Sequence, residues 1–372
     1  MNPKYRPLFE KLVFPNGIEM RNRIAVAPMT HYSSNDDGST AKEEFPYVAR
    51  RSKSAGLFLT ACYAIEEKGK AYPGEPLLTD DRFIEGIAQL ARIIKARGAV
   101  AVLQLHHGGG VCPPTLVPDG DVVAPSAIAT PGRSVVTPRE LSAAEIDQLV
   151  DSFGDATRRA IAAGFDGVEL HGAYGYLLQQ FLSPHSNHRD DRWKDYLAFP
   201  LALIERVRAV VHEFSRGRFL VGYRFTPEEA LTPGLTMPDA LAFTEALVKA
   251  GVDFIDVLLN DYRSRPRRAK AEDLSQTRLS LICRQVAGRA VLLGGGSIFL
   301  ADDGLAALET GVDIVTLGRE MIIDPEWVEK IEQGQEKTIV TSLKNLKPDH
   351  LDLPPKFWKT IQSKPGWFPG VE

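Results

Sequence analysis

Apolar runs recur behind glycines along this chain. Seven stretches with helical spacing end at Gly56, Gly98, Gly164, Gly217, Gly251, Gly288 or Gly311, and each glycine opens a short apolar segment. Glycine just past a helix takes the left-handed backbone without steric penalty. Runs such as Leu-Phe-Leu-Thr, Val-Ala-Val-Leu-Gln-Leu and Phe-Leu-Val-Gly-Tyr read as buried parallel strands. Ile24 to Ala27 adds an eighth run, preceded by a hairpin in which Asn16-Gly17 turns Leu12–Phe14 back into Ile18–Met20. Start signals agree: Ser142 with Glu145 forms a capping-box pattern for a helix over 142–163, and Thr236 stands just before a proline in a first helical turn.

Eight strands alternating with helices predict a closed (β/α)8 TIM barrel, an α/β fold. A doubly wound open sheet is the competing architecture, but no strand is followed by a GxGxxG fingerprint. No linker divides the chain, so residues 1–340 are expected to form one barrel domain and 341–372 an aromatic-rich C-terminal extension. The longer connections over 107–141 and 183–196 are rich in Pro, Gly, Asn and charge, as loops built over one face would be.

Composition narrows the function. The chain has 372 residues, 44% of them hydrophobic, and no apolar run near the ~20 residues of a membrane span, which predicts a globular protein outside the membrane. A net charge of -4 gives no electrostatic footprint for nucleic acid. Cys62, Cys112 and Cys283 show no CxxC spacing, so neither an iron-sulfur cluster nor structural zinc is expected. With no apolar signal segment at the N-terminus, the reducing cytoplasm is the expected location. Small molecules are the expected partners.

In a barrel, chemistry lies at the carboxyl ends of the strands. The first ends in Pro28-Met29-Thr30, the second in Cys62, the third in Gln104 followed by His107, and the fourth in His171, just ahead of Tyr174 and Tyr176. The fifth ends in Arg224 and the sixth in Asn260-Asp261. The seventh and eighth end in the backbone-rich turns Gly294-Gly295-Gly296-Ser297 and Gly318-Arg319, where bare N–H groups and a guanidinium can cradle a phosphate. An imidazole and two phenols at one strand end suit the holding of an oxyanion and the delivery of a proton.

Several segments together carry a family resemblance: Asn22-Arg23-Ile24 through Thr30, Gln104-Leu105-His106-His107-Gly108-Gly109, Thr137 to Leu141, His171 to Tyr176 with Gln180 to Pro184, Asn187 to Asp191, and Gly318-Arg319. In this order, over residues 5–330, the chain resembles the old yellow enzyme family of NADH:flavin oxidoreductases and ene-reductases, in its bacterial single-barrel branch. The resemblance implies non-covalently bound FMN, reduced by NADH or NADPH, and an enone-like small molecule as substrate. It places Thr30 at the flavin O4, and Pro28, Met29 and Cys62 along the isoalloxazine. Gln104 and Arg224 would meet the pyrimidine edge, with Gly295, Gly296, Gly318 and Arg319 at the phosphate. His171 and Tyr174 would hold the substrate carbonyl while Tyr176 protonates the α-carbon. Tyr174 replaces the family's usual asparagine or histidine, and Gly110 stands where an arginine is usual.

Other readings compete residue by residue. Strand alternation puts one of His106 and His107 outside the barrel, and His107 is weighed as a ligand contact. Cys62 reads better as a small core residue than as a redox thiol. Arg189 and Asp191 read as a loop brace. The basic loop Arg263 to Lys270 either recruits an anion or faces water. The tail with Phe357, Trp358, Trp367 and Phe368 either covers the barrel or docks on another subunit, which leaves a homo-oligomer open. Two whole-protein alternatives are a flavin-binding protein without turnover and a metal-dependent barrel hydrolase using His31, His107 and His171.

Overall fold

The computed structural model describes residues 1–372. A two-residue hairpin, β1 (Leu12–Val13) with β2 (Glu19–Met20), precedes the barrel. Its turn uses Gly17 at φ +84, and Phe14 N donates to Ile18 O at 2.8 Å. The barrel strands are β3 (Ile24–Val26), β4 (Leu57–Ala64) and β5 (Val100–His106), then, after a short pair β6 (Val123–Ala124) and β7 (Arg139–Glu140), β8 (Gly167–Gly172), β9 (Leu220–Phe225), β10 (Phe254–Val257), β11 (Val291–Gly295) and β12 (Ile314–Leu317). Every barrel neighbour is parallel, and β12 pairs with β3 to close the ring. The open-sheet alternative is thereby excluded.

The helices are α1 (Glu44–Arg51), α2 (Ile84–Ala96), α3 (Ala143–Ala162), α4 (Leu177–Leu182), α5 (Ala198–Phe214), α6 (Met237–Lys249), α7 (Arg278–Val286), α8 (Ala301–Leu308), α9 (Arg319–Ile323), α10 (Trp327–Glu332) and α11 (Pro355–Gln362). α3 starts where the capping pattern places it: Glu145 N donates to Ser142 Oγ at 3.3 Å while Ser142 N donates to Glu145 Oε2 at 2.8 Å. The Thr236 cap of α6 is closed by Asp239, whose Oδ2 accepts from Thr236 N at 2.9 Å.

Five of the seven punctuating glycines have the expected positive φ; Gly56 and Gly217 do not. Gly56 answers a different constraint, since a Cβ there would lie 2.4 Å from the Asn22 carbonyl oxygen. Gly217 has open space around it and sits in a bend after α5.

Two apolar regions hold the barrel. Phe14, Met20, Leu57, Val102, Leu220, Phe254, Leu293 and Ile314 fill its lower interior, with the hairpin as floor. A larger cluster packs the strands against the helices, and it includes the tail residues Leu351, Phe357, Ile361 and Phe368. The tail therefore folds back on its own barrel. Phe357 meets Tyr47 of α1 edge-on at 6.1 Å, and the buried Arg51 donates to Leu351 O at 2.9 Å.

Candidate active site

At the carboxyl ends of the strands a cavity of about 410 Å³ is lined by Met29, Tyr174, Arg224, Gly295, Gly296, Gly318, Arg319 and, from the tail, Trp367. The glycines are where side chains do not fit. A Cβ on Gly295 would lie 2.2 Å from Thr316 O, and one on Gly296, at φ +110, would lie 2.4 Å from Leu259 O. Arg319 is steered by Ser297, whose Oγ accepts from Nη2 at 3.2 Å. This end offers bare backbone and a guanidinium, the chemistry of a phosphate cradle. Pro28 and Thr30, either side of Met29, are half-buried directly after β3.

The floor of the mouth is polar and buried. Register sets Cys62 opposite Gln104, Gln104 opposite Glu169, His171 opposite Arg224, and Arg224 opposite Asp256. Gln104 N donates to Thr60 Oγ1 at 3.2 Å, and its Nε2 donates to Glu169 Oε2 at 2.5 Å. Arg224 Nε lies 3.3 Å from Asp256 Oδ2, yet it makes no hydrogen bond inside the protein. A buried guanidinium N–H without a partner, beside a carboxamide, suits a ligand edge rich in acceptors such as a flavin pyrimidine. The donor set thus fits FMN at both ends.

Beside this floor stand His171 and Tyr176, with ring centroids 5.2 Å apart. His171 Nδ1 accepts from Ala173 N at 3.3 Å, which leaves the proton on Nε2. Burial first, then the charges of His106 and Arg224, hold its pKa well below the usual value, so the ring is a neutral donor. Burial raises the Tyr176 phenol above its ordinary value, with Cys62 and Glu75 adding to the rise, so it is protonated at neutral pH. Tyr174 is 53% exposed at φ +61, held by its amide on Thr226 Oγ1 at 3.2 Å. Its ring is 6.4 Å from that of Tyr176. Arg133 reaches over both phenols, 5.3 Å above the Tyr176 ring, and donates to the Tyr174 carbonyl.

The structure decides between the two adjacent histidines. His106, not His107, joins the site, with its ring centroid 4.3 Å from Tyr176 and 5.3 Å from His171. The signal was the period of two, since residues 104 and 106 share a face. His106 Nδ1 is 2.7 Å from Glu75 Oε1, a buried partner not singled out in the sequence. His107 turns away, accepts from Gly109 N at 3.0 Å, and has its pKa lowered to about 3 by burial and by His106.

Cys62 is a buried thiol 3.2 Å from the Tyr72 hydroxyl, pushed well above its ordinary pKa by burial and by Glu75, as befits a packed residue. Its sulfur, Glu75 and His106 present ligand atoms within 4.8 Å of one another, but hydrogen bonds already join them. The three histidines of the hydrolase reading are not assembled, because His31 pairs with Glu44 at 3.1 Å and His107 faces away. Arg189 braces its loop as expected, bonding Asp191 at 2.6 Å and the carbonyls of Pro125 and Leu141. In the basic loop, Arg263 pairs with Asp261 and Arg268 holds two carbonyls, leaving Arg265 and Arg267 exposed.

No helix is long and apolar enough to cross a membrane. Residues 7–338 match the model of the NADH:flavin oxidoreductase / NADH oxidase family. The chain is 46% identical over 373 residues to the probable NADH-dependent flavin oxidoreductase YqiG of Bacillus subtilis (strain 168), covering 99% of both chains. It is 36% identical to the NADH:fumarate oxidoreductase of Klebsiella pneumoniae (strain 342), with 95% of this chain matched to 38% of that longer protein. Among solved structures it resembles morphinone reductase in complex with tetrahydroNAD, with a TM-score of 0.75, 27% identity, and 88% and 91% of the two chains covered. The old yellow enzyme homologue from Zymomonas mobilis shares the fold, with a TM-score of 0.79 at 23% identity over 94% and 99% of the two chains. With that match and the cradle, polar floor and donor pair at one barrel mouth, the chain belongs to the NADH:flavin oxidoreductase / NADH oxidase family, the old yellow enzyme family, and is an FMN-dependent NAD(P)H oxidoreductase.

Proposed function

We propose that this enzyme uses NAD(P)H to reduce the activated C=C bond of α,β-unsaturated carbonyl compounds. The observation that carries the reading is a neutral His171 whose Nε2–H is free to donate, beside a Tyr176 phenol that is protonated at neutral pH. When bound, FMN supplies the hydride that passes from the nicotinamide to the substrate β-carbon. In this reading Gly295, Gly296, Gly318 and Arg319 hold its phosphate, Gln104 and Arg224 its pyrimidine edge, and Pro28, Met29, Thr30 and Cys62 the ring system.

His171 and Tyr174 donate to the substrate carbonyl oxygen, where negative charge builds as the β-carbon is attacked. Tyr176 gives its proton to the α-carbon and quenches the enolate. Arg133, above the same phenol, stabilises the tyrosinate left behind. Two longer relatives, of which this chain matches 38% and 36%, are named for fumarate and acrylate, both alkenes conjugated to a carboxyl group, which is consistent with this chemistry.

Half-reactions test the assignment. Tyr176→Phe is expected to leave flavin bleaching by NAD(P)H at the native rate and to slow reoxidation by an enone by about 10²–10⁴-fold, the usual worth of a positioned general acid. Equal slowing of both halves would refute the role.

A further inference from the structure

Within the polar floor of the mouth lies a charge arrangement the reaction above does not use. Glu169 on β8 and Asp256 on β10 are both fully buried inside the barrel. Glu169 accepts only the Gln104 amide, and its second oxygen has no donor; neither oxygen of Asp256 has one. From β9 comes one cation, Arg224, its Nε 3.3 Å from Asp256. β5 contributes the uncharged Gln104, while β11 and β12 contribute Gly295 and Thr316. Arg224 also acts on the neutral His171 and the protonated Cys62.

Two buried carboxylates facing one guanidinium are in excess by one negative charge. An unpaired buried ion without donors costs several kcal/mol, so the cluster relieves the excess by holding a proton. Burial first, then the charge of Asp256, raises the Glu169 carboxyl above its ordinary range, and burial raises Asp256 as well. With FMN held as proposed, Arg224 and Gln104 would link this pair to the edge at which a two-electron reduction adds negative charge. That charge draws on the same guanidinium and favours protonation of the pair.

We propose that Glu169 and Asp256 form a proton-storing pair that takes one proton from solvent when the FMN held by Gln104 and Arg224 is reduced, and returns it on reoxidation. The atoms balance without a further reactant. NAD(P)H loses a hydride and becomes NAD(P)+. A water-derived proton forms an O–H bond on Glu169, and that bond breaks again when the electrons leave. The inference uses only the NAD(P)H half-reaction, so it stands whichever oxidant follows and fails independently of the enone reading.

The test is anaerobic mixing of FMN-loaded protein with one equivalent of NADH or NADPH, whichever bleaches the flavin, in weakly buffered solution with a pH indicator between pH 7 and 10. Hydride transfer itself neither consumes nor releases a proton from solution. The native protein is expected to take up a measurable fraction of a proton per flavin within this range, most at the pH where the pair is still partly ionised before reduction. Glu169→Gln should take up less than a third as much there. Asp256→Asn removes the neighbouring negative charge and should move the uptake to lower pH. No uptake by native protein across the range would overturn the proposal even if neither variant folded, and equal uptake by native protein and Glu169→Gln would overturn it too.

Discussion

Along β5 the inward side chain changes from Val102 to Gln104, along β10 from Phe254 to Asp256, and along β12 from Ile314 to Thr316. Below that step the barrel interior is an apolar plug closed by the hairpin. Above it are buried carboxylates, a guanidinium, a carboxamide and glycine backbone. β9 shows the boundary in one strand: Leu220 belongs to the plug, Gly222 makes room for the Phe254 ring, and Arg224 opens the mouth. The lower layer gains free energy by excluding water, whereas the upper layer gives some of it up to keep polar atoms available for a ligand. One barrel can thus separate stability from chemistry within two residues of strand.

Substitutions on each side of the step should separate stability from binding. Phe254→Ala opens a hole in the plug and should destabilise the protein by about 3–5 kcal/mol, seen as a lower thermal midpoint. The visible flavin spectrum of the folded fraction should be unchanged; loss of FMN in parallel would break the division. Arg224→Gln lies just above. It removes a charged donor while Asp256 can take up a proton, so the larger effect should fall on FMN affinity. A loss of about 1.5–3 kcal/mol corresponds to roughly 10- to 150-fold in Kd by flavin fluorescence.

The smallest effect lies outside both layers. Hydrogen bonds from Arg139 first, then from the Ser142 backbone, lower Glu145 to about 2 at the start of α3. Because that folded-state value is depressed, the contribution is present above about pH 4.5 and is lost as pH falls toward 2. The pair is substantially exposed, so Arg139→Ala should cost under about 1 kcal/mol at pH 7. Arg139 also pairs with Asp121 and holds that carboxyl well below its usual range, so denaturant midpoints of the two proteins should draw together as pH falls from about 5 to about 2 without fully meeting, and a difference that did not shrink over that range would assign the loss to packing.

Much of this was legible in the chain itself, because the signals are local. Gly98, Gly164, Gly251 and Gly311 mark strand entries by the backbone they permit, and His171 to Tyr176 advertise their chemistry in six consecutive residues. What escaped depends on parity or on distant chain. Counting by twos from Gln104 selects His106 over His107. The same count brings Glu169 inside the barrel, where a carboxylate in the run Gly-Val-Glu-Leu-His was the available signal. Trp367 reaches the cavity only because Phe357 and Phe368 anchor the tail against the barrel, a contact no local pattern encodes. Arg133 is placed by its loop, tied where Ser134 Oγ donates to Gly110 O at 2.7 Å.

The most direct test of a flavin chemistry housed in the polar upper layer is an anaerobic spectral titration of the purified native protein. One equivalent of NADH or NADPH should bleach an FMN absorbance band, and an enone added afterwards should restore it with consumption of one alkene per flavin. A colourless protein that takes up no FMN, or a bleached one that enones leave unoxidised, would contradict the account.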